Sequence, residues 1–122
     1  MNSLIIFIGK DKKFDLDETI AAISSIPGIS NPQEGSFGQI FECEYEAMGS
    51  YTRVGISLDL GAIYVEGLGD ESIKFMLELQ SRLSVDLYVI DTGYDFDIPV
   101  RSVSTIEEFK RAIVAEVRHV ER

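Results

Sequence analysis

A chain of 122 residues with 21 acidic and 11 basic side chains carries a formal charge of −10, which sets it against phosphate backbones and anionic lipid surfaces as direct partners. Its length suits one domain, residues 1–122, burying roughly two-thirds of its unfolded surface, and an apolar content of 45% is too high for a disordered chain despite the charge. A single cysteine, Cys43, excludes an internal disulfide and predicts a reducing, cytoplasmic setting, and the apolar run at residues 4–8 is too short for a signal-peptide core or a membrane span.

Residues 3–8, continuously apolar from Leu4 onward and ending at Gly9, show the pattern of a strand buried on both faces and central in its sheet. Asp15 with Glu18 three residues on predicts a helix start, and Leu16, Ile20, Ile23 and Ile26 form one apolar stripe until Pro27-Gly28 stops it. Residues 29–38, rich in Ser, Asn, Pro and Gly, read as a loop. In residues 39–46, Phe41, Cys43 and Tyr45 alternate with Glu42, Glu44 and Glu46, so a strand there places three glutamates on one face. Residues 47–50 read as a turn.

The next strand spans residues 53–60, with Val54, Ile56, Leu58 and Leu60 inward, and Gly61 permits a tight reversal into a strand at 62–67 whose core side is Ile63 and Val65. Ile73, Met76, Leu77 and Leu83, flanked by Phe75 and Leu79, predict a well-buried helix over 71–83. A strand over 85–91 follows, with Val85, Leu87 and Val89 opposite Asp86, Tyr88 and Ile90, and then an irregular acidic segment in which Phe96 and Ile98 suggest a short edge strand. Thr105 and Glu108 form a capping box for a final helix, on which Ile106, Phe109, Ile113, Val117 and Val120 recur at helical spacing.

The resulting order, β-α-β-β-β-α-β-α, predicts an α+β fold with a single mostly antiparallel or mixed sheet of about five strands and helices packed on one face. That is a ferredoxin-like variant, a split βαβ sandwich with an added strand and a C-terminal helix. No motif matches a known family residue by residue, and fold alone does not carry function.

Motifs that carry catalytic chemistry are weak. His119 near the end of the last helix has no legible orienting partner, and Cys43 falls on the inward side of its strand, so neither is expected to be catalytic. Gly67-Leu68-Gly69 opens a helix, but a third glycine is absent and Asp70 and Glu71 occupy the helix start where a phosphate would bind. Asp91, Asp95 and Asp97 suggest at most a weak cation site, because Gly93 and the lack of a closing glutamate depart from calcium-loop spacing. No cofactor and no metal are expected.

The charge is unevenly placed. Residues 34–97 hold thirteen acids against three bases, whereas the flanks balance at eight and eight, so the whole surplus lies in the middle strands and their loops. Glu42, Glu44, Glu46, Tyr64, Glu66, Asp86 and Tyr88 all alternate with core residues and share one surface if the registers agree, unless the C-terminal helix covers Tyr64, Tyr88 and Ile90. The glutamates alone read equally well as a solvated face, and the tyrosines tilt the reading toward an interface because Tyr is enriched there. The leading expectation is a non-enzymatic binding protein of inhibitor or immunity type, engaging a basic protein partner through Glu42, Glu44, Glu46, Tyr64, Glu66, Tyr88, Asp95 and Asp97. The alternatives are a ligand-sensing or regulatory domain acting as a homodimer and, third, an enzyme of unspecified type.

Overall fold

The computed structural model describes residues 3–9, 11–91 and 97–120, the last five of these by backbone alone. In chain order the elements are β1 (Ser3–Phe7), α1 (Leu16–Ser24), β2 (Ile29–Glu34), β3 (Gln39–Ala47), β4 (Ser50–Ser57), β5 (Ile63–Glu66), α2 (Asp70–Arg82), β6 (Tyr88–Asp91), β7 (Asp97–Pro99), a 3-10 turn at Val100–Ser102, and α3 (Ile106–Val120). The strands form one sheet in the order β2-β3-β4-β5-β1-β6-β7, antiparallel at every junction. The α+β class is therefore as expected, but among the described residues the sheet has seven strands, not about five. This order does not by itself establish the ferredoxin-like variant. β1 lies between β5 and β6, and α2 carries the chain from one to the other.

The added strands are the two edges. β7 takes up Ile98, as its pattern suggested, whereas Phe96 lies outside the described residues. β2 forms where a loop was expected. Five of its six residues are exposed, so it shows no alternation, and Asn31 and Pro32 fall in the register shift between Ser30 and Gln33, outside the regular ladder. An edge strand tolerates both a bulge and a proline, because only one of its sides must pair. β3 and β4 are joined at Met48 and Gly49, both at positive φ (53° and 79°), the two-residue turn whose twist matches a hairpin.

Alternation assigns the faces. Leu4 and Ile6, Phe41, Cys43 and Tyr45, Val54 and Ile56, Ile63 and Val65, and Val89 are buried and join Ile23, Phe75, Met76 and Phe109 in one core. Each such aliphatic or aromatic side chain removed from water contributes about 1.5–3 kcal/mol. α1 starts where Asp15 accepts the Glu18 amide at 2.9 Å. α3 starts at the expected box, with the Glu108 amide donating to Thr105 Oγ1 at 3.1 Å and Glu108 Oε2 accepting the Ser104 amide at 3.1 Å. Phe109, fully buried, carries α3 into the same core as α1 and α2. The last helix thus lies on the helical side of the sheet and does not cover Tyr64, Tyr88 or Ile90.

Several strand limits differ from the expected ones. β3 runs to Ala47 and β4 starts at Ser50, so that only Met48 and Gly49 remain of the expected turn at 47–50. β4 ends at Ser57 because Asp59 Oδ1 accepts the Ser57 hydroxyl at 2.7 Å and the Gly61 amide at 2.8 Å, closing a turn that leaves Leu58 exposed instead of inward. β6 starts only at Tyr88 because Gln80, buried on α2, donates to the Val85 carbonyl at 2.8 Å and accepts the Leu87 amide at 2.8 Å. That clamp holds the connection off the ladder and leaves Val85 exposed.

Candidate partner-binding face

Opposite the helices the sheet is open. Paired residues make one row across all seven strands, Gln33, Glu42, Gly55, Tyr64, Ile5, Ile90 and Asp97, in the order β2 to β7. Glu44 lies opposite Arg53, Glu46 opposite Tyr51, Glu66 opposite Ser3, and Tyr88 opposite both Phe7 and Pro99. With side chains alternating along each strand, Glu42, Glu44, Glu46, Tyr64, Glu66, Tyr88 and Asp97 all stand on this face. At about 4.8 Å per strand, Glu42 and Asp97 are roughly 24 Å apart, so they border a surface and do not converge on one point. Asp95 lies outside the described residues. Asp86 precedes β6 and is paired with Arg101 at 3.0 Å.

The middle of the face is apolar. Residues 3–8 were expected to be buried on both sides, but only Leu4 and Ile6 are fully so; Ile5 and Phe7 are half-buried on the open face beside Ile90 and Tyr88. The Phe7 and Tyr88 rings stack with centroids 5.8 Å apart. An uninterrupted apolar run arises here because one side feeds the core and the other forms this stripe. Acids flank it, Glu66 and the β3 glutamates on one side and Asp97 on the other.

The β3 glutamates are not equivalent. Glu42 Oε1 accepts the Ser36 amide and the Ser36 hydroxyl, each at 3.0 Å, and these bonds, the amide first, hold its carboxyl below the ordinary value, with a smaller contribution from Arg53. Glu44 Oε2 accepts Asn31 Nδ2 at 2.9 Å. Among the described residues the side chains of Glu46, Glu66 and Arg53 make no hydrogen bond or ion pair.

Part of this face is concave, which no sequence pattern indicates. A groove of about 260 Å³ lies between the β2–β3 connection and strands β3 to β5, with Phe37 and Gln39 among its lining residues. Phe37 is fully exposed at φ 51°. Nothing in the local pattern signals a groove, because its walls come from strands brought together only by pairing.

Other candidates fall elsewhere. Cys43 is buried on the helical side, where desolvation pushes its thiol up to about 12. Asp91 is buried on that side too, whereas Asp97 is on the open face, so the two do not share a cation. Asp70, the first residue of α2, pairs with Lys110 at 2.7 Å, and the N-cap position is held by Gly69, so no side chain caps this helix from there. The His119 side chain lies outside the description. Among the described residues no group of three or more His, Cys, Asp or Glu side chains is placed to hold a metal, and no helix is long and apolar enough to cross a membrane.

Comparison of the chain with protein-family models, with curated proteins and with solved structures returns no match.

Proposed function

We propose that this protein is a non-enzymatic binding protein of the inhibitor or immunity type, which engages a basic protein partner over the open face of its sheet in the cytoplasm. The observation that carries this reading is the row from Gln33 to Asp97, in which an apolar middle is bordered by carboxylates at both margins. Apolar surface supplies the area that desolvates on contact, with Tyr88 and Phe7 as aromatic anchors. The carboxylates supply steering: over an open face their field is screened beyond about 8 Å at physiological salt, so it acts on association more than on lifetime. The same field repels polyanions and a second copy of a chain whose charge is −10.

The test is capture from the host, followed by binding kinetics at two salt concentrations. Glu44, Glu46 and Glu66 are reversed to lysine together, and Glu42 is left because it holds Ser36. The expected partner has a pI above about 9. The triple reversal is expected to slow association about tenfold or more at low salt and less at high salt, and Tyr88→Ala to raise the dissociation rate. Association unchanged by the reversal at low salt overturns the reading.

A further inference from the structure

Beside the hairpin, the acidic margin of the open face becomes concave. Glu42, Glu44, Glu66, Arg53, Tyr64 and Phe37 line the groove, so three carboxylates face one guanidinium and a net negative charge remains. Arg53 lies opposite Glu44 in the strand pair and tempers the repulsion among the carboxylates, yet forms no ion pair with any of them. The floor is Gly55: a Cβ there would collide with the side-chain amide of Gln39, so glycine is what lets Gln39 lie across the strand.

Phe37 is the unusual member. A fully exposed phenylalanine at positive φ incurs a local conformational cost of about 1 kcal/mol and buries nothing in return. It is carried next to Ser36, whose amide and hydroxyl are both anchored on Glu42, so the ring is presented from a tied segment at the groove's edge. An exposed aromatic ring at the rim of a carboxylate-lined hollow matches a cation on an aliphatic stem. Among protein side chains arginine fits best, because its planar fork pairs with carboxylates, its face stacks on rings, and it sheds water more readily than an ammonium.

Resting on the basic-partner reading above, we infer that this groove is the socket for one arginine side chain of the partner, with Glu44 and Glu66 meeting the guanidinium and Phe37 closing over the stem. The contact gives the otherwise diffuse acidic face a register. Phe37 and the groove then determine which basic protein stays bound, whereas the outlying glutamates determine how fast any basic protein arrives.

N-acetylarginine amide and its neutral analogue N-acetylcitrulline amide are the probes, titrated into the isotopically labelled protein and followed by amide chemical shifts. Saturable shifts at Gln39, Gly55 and Glu66 with the arginine probe alone are expected. Phe37→Ala and Glu66→Gln should each weaken that binding about two- to fivefold while leaving the thermal melt unchanged. Equal shifts from the two probes, or shifts that spread to Glu71 and Glu107 without saturating, overturn the socket. In the complex, a partner lost on triple charge reversal but dissociating at an unchanged rate from Phe37→Ala overturns the socket alone. A partner indifferent to the reversal overturns the broader reading.

Discussion

Ser36 donates its amide and its hydroxyl to a single carboxylate oxygen of Glu42, at 3.0 Å each, six residues further along the chain. The bonds close the β2–β3 connection onto the third strand and place Phe37 beside the groove. Glu42 is thus both a surface charge and the fastening of the hairpin.

A pH dependence follows from that fastening. The folded carboxyl is held below its ordinary value of 4.5, so the ordering it provides is fully present above that pH and is lost as pH falls through the lowered folded value. Hydrogen exchange at the Ser36 amide is expected to stay slow at neutral pH and to accelerate only below about pH 4.5 once intrinsic exchange is factored out. In Glu42→Gln the acid-dependent step should vanish, with exchange a few-fold faster at neutral pH, since a neutral acceptor bonds less strongly. An unchanged profile in the variant would place the fastening elsewhere.

Gln80 holds the chain between α2 and β6. Gln80→Met keeps the volume but leaves the Val85 carbonyl and the Leu87 amide without their buried partner. A cost of about 1–3 kcal/mol for each group left unpaired is expected in denaturant unfolding. A loss below about 0.5 kcal/mol would mean that water or a backbone shift replaces the side chain.

Cys43 should be chemically quiet. With its thiol pushed from 9.0 to about 12 by burial, the thiolate population at neutral pH is lower by roughly a thousandfold than for an ordinary cysteine. Labelling by a disulfide reagent is expected only after unfolding. Rapid labelling of the native protein, with unfolding excluded by a parallel melt, would contradict the burial.

Phe109→Ala should lose about 3–5 kcal/mol, because a fully buried ring is removed from the layer between α3 and the sheet. Val114→Ala, half exposed five residues on, should change stability by less than about 1 kcal/mol. Comparable losses at both positions would require a different face of α3 to be buried.

Local chemistry was readable wherever a few neighbouring residues carry it. Asp15 with Glu18 and Thr105 with Glu108 announce helix starts because a cap bonds an amide three residues away. Glu42, Glu44 and Glu46 announce one face of a strand because the pleat repeats every two residues. β2 escaped because an exposed edge strand with a bulge at Asn31 and Pro32 needs no inward residues and leaves no period to read. Alternation points Leu58 and Val85 inward because it cannot register that Asp59 or Gln80 ends the strand by capturing its backbone.

By itself the sequence determined the charge surplus between residues 34 and 97, which is a count, and the caps and the stripe on α3, which depend on residues within a turn or two of one another. Only the tertiary structure decided that α3 packs on the helical side, that Tyr64 stands beside Ile5 and Gly55, and that Glu44, Glu66 and Phe37 border one groove. The physical reason is range. Periodicity constrains which way a side chain points within its own element, whereas strand order and register arise from pairing between distant segments, such as Ile5 with Ile90, 85 residues further on, and no local pattern encodes that choice.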